Sequence, residues 1–158
     1  MFDENIEDID YTWEADLVGI SVRTMYAGRA YAISDEYRKR GVRTVLGGIH
    51  PSMCPEEAAQ YCDSVVKGEA EGIWATLLKD AEAGSLKRLY EAQGFTDLKS
   101  APAVDRSALS RDRYLQNIVQ TTKGCPYDCE FCSVYAFDGQ KIRSKTIEQV
   151  IAEIRDIN

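Results

Sequence analysis

Three cysteines stand close together at Cys125, Cys129 and Cys132, in the stretch Thr-Thr-Lys-Gly-Cys-Pro-Tyr-Asp-Cys-Glu-Phe-Cys-Ser-Val. The spacing C-x-x-x-C-x-x-C lets three thiolates turn inward from one tight loop onto a single metal centre. A fully ligated [4Fe–4S] cluster takes four cysteines, so three suit a cluster with one iron left open. An open iron can bind a substrate or cofactor directly. Zinc also takes cysteines at short spacing, but its fourth ligand would have to come from His50, Cys54 or Cys62, all more than 60 positions upstream of Cys125. Zinc motifs also more usually space cysteines as C-x-x-C pairs. A disulfide framework is disfavoured by the odd count of five cysteines. Cys54 and Cys62 read as core or near-surface thiols, a common place for free cysteine.

The elements that must position this loop are legible upstream. Residues 1–15 carry six carboxylates and little apolar periodicity, and read as a surface connector. Asp16 to Val22 is a nearly continuous apolar run, the pattern of a strand buried on both faces of a parallel sheet. Tyr26 to Arg40 turns helical, with cations in its last turn and Gly41 as the stop. A second strand follows over Val42 to Leu46, then a short helix opened by Pro55, then a third strand around Asp63 to Lys67. Ile73, Trp74, Leu77, Leu78 and Ala81 share one face of a further helix that ends near Gly84. Strand and helix alternate three times, which predicts an α/β fold with a parallel, Rossmann-like (flavodoxin-like) sheet. Each strand ends in a loop rich in small residues, and open α/β sheets bind ligands at those carboxyl ends. Ser21, Thr24, Gly47, Gly48, Gly68 and Glu69 are the candidate crevice residues.

Leu86 to Ala92 reads as a short strand or hairpin arm. Residues 93–113 lose periodicity and read as a linker, which gives a domain over 1–92 and a second over 114–158. Tyr114 to Thr121 is expected as a strand that delivers the cysteine loop at its carboxyl end. Thr146 and Gln149 form a capping-box pattern before the amphipathic helix marked by Ile147, Val150, Ile151, Ile154 and Ile157. Lys123 and Arg143 read as solvated surface charge, with anionic groups of a ligand as the alternative.

Gly124, Cys125, Pro126, Cys129, Phe131 and Cys132 resemble the signature of radical S-adenosylmethionine (SAM) enzymes. The resemblance widens with Asp16-Leu-Val-Gly-Ile-Ser, Gly47-Gly48-Ile49-His50-Pro51, Pro55-Glu56-Glu57-Ala58 and Lys67-Gly68-Glu69-Ala70-Glu71-Gly72. Over its whole length the chain is similar to radical SAM proteins with an N-terminal cobalamin-binding domain, which include methyltransferases, cyclases and hopanoid-associated enzymes. That family implies a [4Fe–4S] cluster on Cys125, Cys129 and Cys132, with SAM chelated at its open iron and Phe131 beside the adenine. It implies reductive cleavage of SAM to a 5′-deoxyadenosyl radical, used for methylation, cyclisation or oxidation. It places cobalamin over the strand ends and the cluster at the start of a partial TIM barrel, of which 114–158 would be the first βα unit. The implied partners are a small organic or lipid-like substrate and an electron donor such as a flavodoxin or ferredoxin. Cobalamin domains often carry D-x-H-x-x-G, whose histidine ligates cobalt; that motif is absent here. Family members without it also bind cobalamin, and His50 reads as a hydrogen-bonded turn residue. Against the family pattern the chain looks like a fragment cut at both ends.

A net charge of −7 and a pI near 4.8 argue against a general nucleic-acid surface. No apolar run approaches the ~20 residues of a membrane span. Free cysteines imply a reducing interior, so the cytoplasm is the expected location. Two further function classes fit the residues: a non-catalytic cobalamin- or nucleotide-binding module, and a zinc-stabilised interaction domain.

Overall fold

The computed structural model describes residues 1–106 and 113–157. Four strands form one parallel sheet in the order β1 (Leu17–Ser21), β2 (Arg43–Gly47), β3 (Ser64–Lys67) and β4 (Leu89–Glu91). Between them run α1 (Ala27–Lys39), the short α2 (Ile49–Met53) and α3 (Pro55–Ala58), and α4 (Trp74–Glu82). The three strands and the helices read from the sequence fall within a residue or two of their expected bounds. The ambiguous arm at 86–92 resolves as β4, which pairs in parallel with β3, Val66 opposite Tyr90.

Period-2 alternation divides the sheet into two packed faces. Leu46 and Val65 pack with Val22, Ala27, Ala30, Tyr31, Ala58 and Cys62, under α1 and the short helices. Val45 and Val66 pack on the other face with Leu77 of α4 and Tyr90. The Trp74 ring lies over Gly19 of β1, where a side chain on the strand would crowd it. Both faces are therefore covered over β2 and β3, whereas β1, expected to be buried on both faces, is the edge strand and is only partly buried. Cys62 is fully buried, with its sulfur within hydrogen-bond reach of the carbonyls of Ala58 and Ser64, so it is a core thiol as expected.

The second half is built differently. Tyr114 to Thr121 is not a strand; the pairing begins only at β5 (Thr122–Lys123), antiparallel to β6 (Arg143–Ser144). A strand exists through its neighbour's hydrogen bonds, and among the described residues only the last of this stretch finds one, where Lys145 N–H donates to Thr121 O (3.0 Å). Leu115 and Ile118 there are 103% and 79% exposed. Between β5 and β6 lie the cysteine loop and α5 (Val134–Asp138), and α6 (Ile147–Ile157) follows. The capping box forms as read: Thr146 N–H donates to Gln149 Oε1 (2.8 Å) and Gln149 N–H to Thr146 Oγ1 (3.2 Å). The buried residue of α6 is Glu153, while Ile147, Ile151 and Ile154 stay exposed. No described helix is long and apolar enough to cross a membrane.

Candidate functional site

The carboxyl ends of β1, β2 and β3 lie side by side, with Ser21 paired to Gly47 in register. Val22 N–H donates to Gly47 O (2.8 Å) and His50 N–H to Val22 O (3.1 Å), which pins the Gly47-Gly48 turn against the end of β1. Gly48 has φ +94°, and a Cβ there would stand 3.1 Å from both the nitrogen and the oxygen of Val22. Only glycine combines that conformation with so close a backbone approach. Ser52, which the sequence reading passed over, ties two of these loops together. Its hydroxyl donates to Gly48 O (2.8 Å) and accepts from Gly68 N–H (2.9 Å).

A cleft of about 240 Å³ opens at the ends of β3 and β4, lined by Ser52, Met53, Gly68, Glu69, Phe95 and Phe137 among others. Of the candidate crevice residues, Gly68 and Glu69 line this cleft. Ser21, Gly47 and Gly48 sit on the adjoining strand ends, and Thr24 lies in the exposed 3-10 turn after β1.

His50 is buried, and its Nε2 lies 2.8 Å from the Tyr31 hydroxyl, which donates to Glu57 (3.0 Å). One hydroxyl carries one proton. With that proton directed to Glu57, the imidazole donates from Nε2. Burial, then the bond to Glu57, pushes the Tyr31 hydroxyl well above the ordinary tyrosine pKa. His50 is thus hydrogen-bonded as expected from the sequence, but it stands in α2 and not in a turn.

Cys125, Cys129 and Cys132 hang between β5 and α5 as free thiols, Cys129 exposed and the other two half-buried. Cys125 N–H donates to Gly139 O (3.0 Å), which closes the neck of the loop, and Cys132 N–H donates to Cys129 O (3.0 Å). Gly124 has φ +91°, and any side chain there would collide with the Lys141 carbonyl across that neck. Among the described residues no three His, Cys, Asp or Glu side chains are gathered tightly enough to hold a metal. The loop therefore offers the donor set of a cluster, three thiols on one short segment, without their convergence. Phe131 is 92% exposed on the same loop, its ring face open.

Arg143 and Lys123 are not solvated surface cations; both are largely buried against Glu69. Arg143 meets the Glu69 carboxylate at 2.7 and 3.0 Å, and Thr96 N–H adds a third bond at 2.6 Å. Burial pushes the Glu69 pKa upward, but Arg143, Thr96 and Lys123 more than offset it and hold the carboxyl down at about 2. No local signal could have shown this, because the partners lie far apart in the sequence.

Residues 3–78 match the family model of the B12 binding domain. The chain is 39% identical over 151 residues to bacteriochlorophyllide d C-8(2)-methyltransferase of Chlorobaculum tepidum, a match that covers 90% of this chain and 34% of that protein. It is 28% identical over 159 residues to the hopanoid C-2 methylase of Rhodopseudomonas palustris, covering 96% of this chain and 30% of that protein. The first match leaves out only a tenth of the chain, too little to miss the cysteine loop from either end. The fold matches the radical S-adenosylmethionine methyltransferase TsrM of Kitasatospora setae with a TM-score of 0.69 at 19% identity, over 93% of this chain and 35% of that one. The chain thus spans about a third of the length of the curated relatives it matches. Residues 3–78 thus match a B12-binding domain, and the similarity to these methyltransferases runs on beyond it into the stretch that carries the cysteines.

Proposed function

We propose that this chain is the cofactor-binding part of a B12-dependent radical SAM methyltransferase. The observation that carries the reading is the position of three free thiols on a loop clasped to the strand-end side of a B12-binding domain. The loops at Ser21, Thr24, Gly47, Gly48 and Gly68 form the bed for cobalamin, with backbone and small side chains against the ring. No histidine reaches cobalt from this chain, since the one imidazole is held by Tyr31. Cys125, Cys129 and Cys132 hold a [4Fe–4S] cluster whose open iron takes SAM, and Phe131 offers its exposed ring to the adenine. Cluster, SAM and cobalamin supply the electron and methyl chemistry, while the protein positions them. The acceptor is a small organic or lipid-like molecule, the electron comes from a flavodoxin- or ferredoxin-like donor, and the reaction runs in the reducing cytoplasm.

Anaerobic reconstitution with iron and sulfide tests the cluster. The wild-type chain is expected to turn brown and hold about four irons, and Cys129→Ser to lose most of that iron and colour. One zinc per chain with no oxygen sensitivity would replace the cluster with a structural zinc site. Hydroxocobalamin co-eluting with the chain in gel filtration, in the wild type and in Cys129→Ser alike, tests the B12 bed independently.

A further inference from the structure

Glu69 lies in a loop at the mouth of the cleft, yet it is only 4% exposed. Both of its oxygens are occupied. Arg143 Nη1 reaches Oε2 at 3.0 Å and Nη2 reaches Oε1 at 2.7 Å, a two-point contact that fixes orientation as well as distance. Lys123 Nζ stands 3.4 Å from Oε1, and Thr96 N–H donates to Oε2. These partners come from separate segments. Lys123 is on β5 and Arg143 on β6, the two arms that flank the cysteine loop, and Thr96 follows β4. Nη1 and Nη2 of Arg143 also donate to the carbonyls of Thr96 (2.7 Å) and Asp138 (3.1 Å), its buried Nε has no hydrogen-bond partner, and its guanidinium stacks 4.8 Å from the Phe95 ring centre. The Phe95 ring in turn packs against Gly139, whose carbonyl receives Cys125 N–H.

One carboxylate on a strand-end loop of the B12-binding domain therefore holds both arms of the cysteine loop. We infer that Glu69 is a positioning residue that fixes the cysteine loop over the carboxyl ends of β3 and β4, with Arg143 and Lys123 as its grips. Its two oxygens are taken up by protein donors, and through them it sets how far the thiols stand from the B12 bed. That consequence rests on the proposed function, whereas the anchor itself is a property of the protein alone. An apolar contact could slide, but a buried bidentate ion pair has one geometry, and breaking it leaves an uncompensated charge.

Zero-length carbodiimide coupling of the metal-free chain, read by peptide mass spectrometry, tests the anchor. Lys123 and Glu71 are 3.3 Å apart and report the position of the loop arm; Lys67 and Glu91, 2.6 Å apart within the parallel sheet, are the internal control. In Glu69→Gln the Lys123–Glu71 product is expected to fall about tenfold while the Lys67–Glu91 product stays constant. Arg143→Gln should do the same, and the double variant should fall no further, because the two side chains act as one unit. An unchanged Lys123–Glu71 product in both single variants overturns the inference. So does a parallel loss of both products, which would make Glu69 a residue of the fold at large. Iron uptake is read in a separate experiment, so failure of the cluster reading and failure of the anchor are distinguishable.

Discussion

The parallel sheet and the segment that carries the cysteines are held by different forces. In the sheet, Leu46, Val65 and Leu77 are fully buried and the layers close on apolar contact. In 114–157 the long apolar side chains stay largely outside, and the buried groups are charged: Arg106 with Glu153, Lys145 with Glu153, Arg143 with Glu69. Apolar packing rewards area and tolerates small shifts. Paired charges out of water demand a particular geometry and tolerate little. A rigid bed for a large ligand suits the first, and an exactingly placed loop suits the second.

The contrast can be broken at its strongest point first. Leu46→Ala removes a fully buried side chain from the sheet core and should cost about 2–5 kcal/mol in urea unfolding. A smaller loss would mean that the sheet core is looser than its burial implies. Acid should discriminate between the halves. The folded pKa of Glu69 is held near 2, below its ordinary 4.5, so its contribution is fully present above the ordinary value. It declines as pH falls below 4.5 and is gone once pH passes below about 2. Glu153 moves in the same direction: burial opposes its ionisation, but Lys145 and Arg106 outweigh that opposition. Amide exchange, corrected for its intrinsic pH dependence, should therefore quicken at 122–125 and 143–145 before it quickens in β1–β3. Equal quickening in both regions would erase the distinction. The smallest effect is expected from Ile147→Ala, less than about 0.5 kcal/mol by thermal melting, because that side chain is already exposed. A large loss there would show that the apolar stripe of α6 is covered in solution.

The same division governs what the sequence could reveal. Strands β1–β3, helix α1 and the capping box of α6 were legible because period, stop residues and caps act within a few positions. The thiols were legible because C-x-x-x-C-x-x-C is itself local. Tyr114 to Thr121 misled: its composition suits a strand, but a strand needs a neighbour, and composition does not supply one. The Glu69–Arg143 pair spans 74 positions and left no pattern to read. Lys123 and Arg143 looked like any surface cations for the same reason. Ser52 was hidden because a serine after a proline says nothing about which two loops its hydroxyl will join.

Gly124 illustrates how structure and chemistry become entangled in one short motif. It precedes the first thiol, so a substitution scan of the loop would score it beside the cysteines themselves. Yet it binds nothing. Its intolerance would come from the Lys141 carbonyl standing where a β-carbon would have to go and from a backbone angle that side chains resist. Essentiality at that position would therefore measure the gauge of the loop's doorway and would say nothing about what the thiols bind.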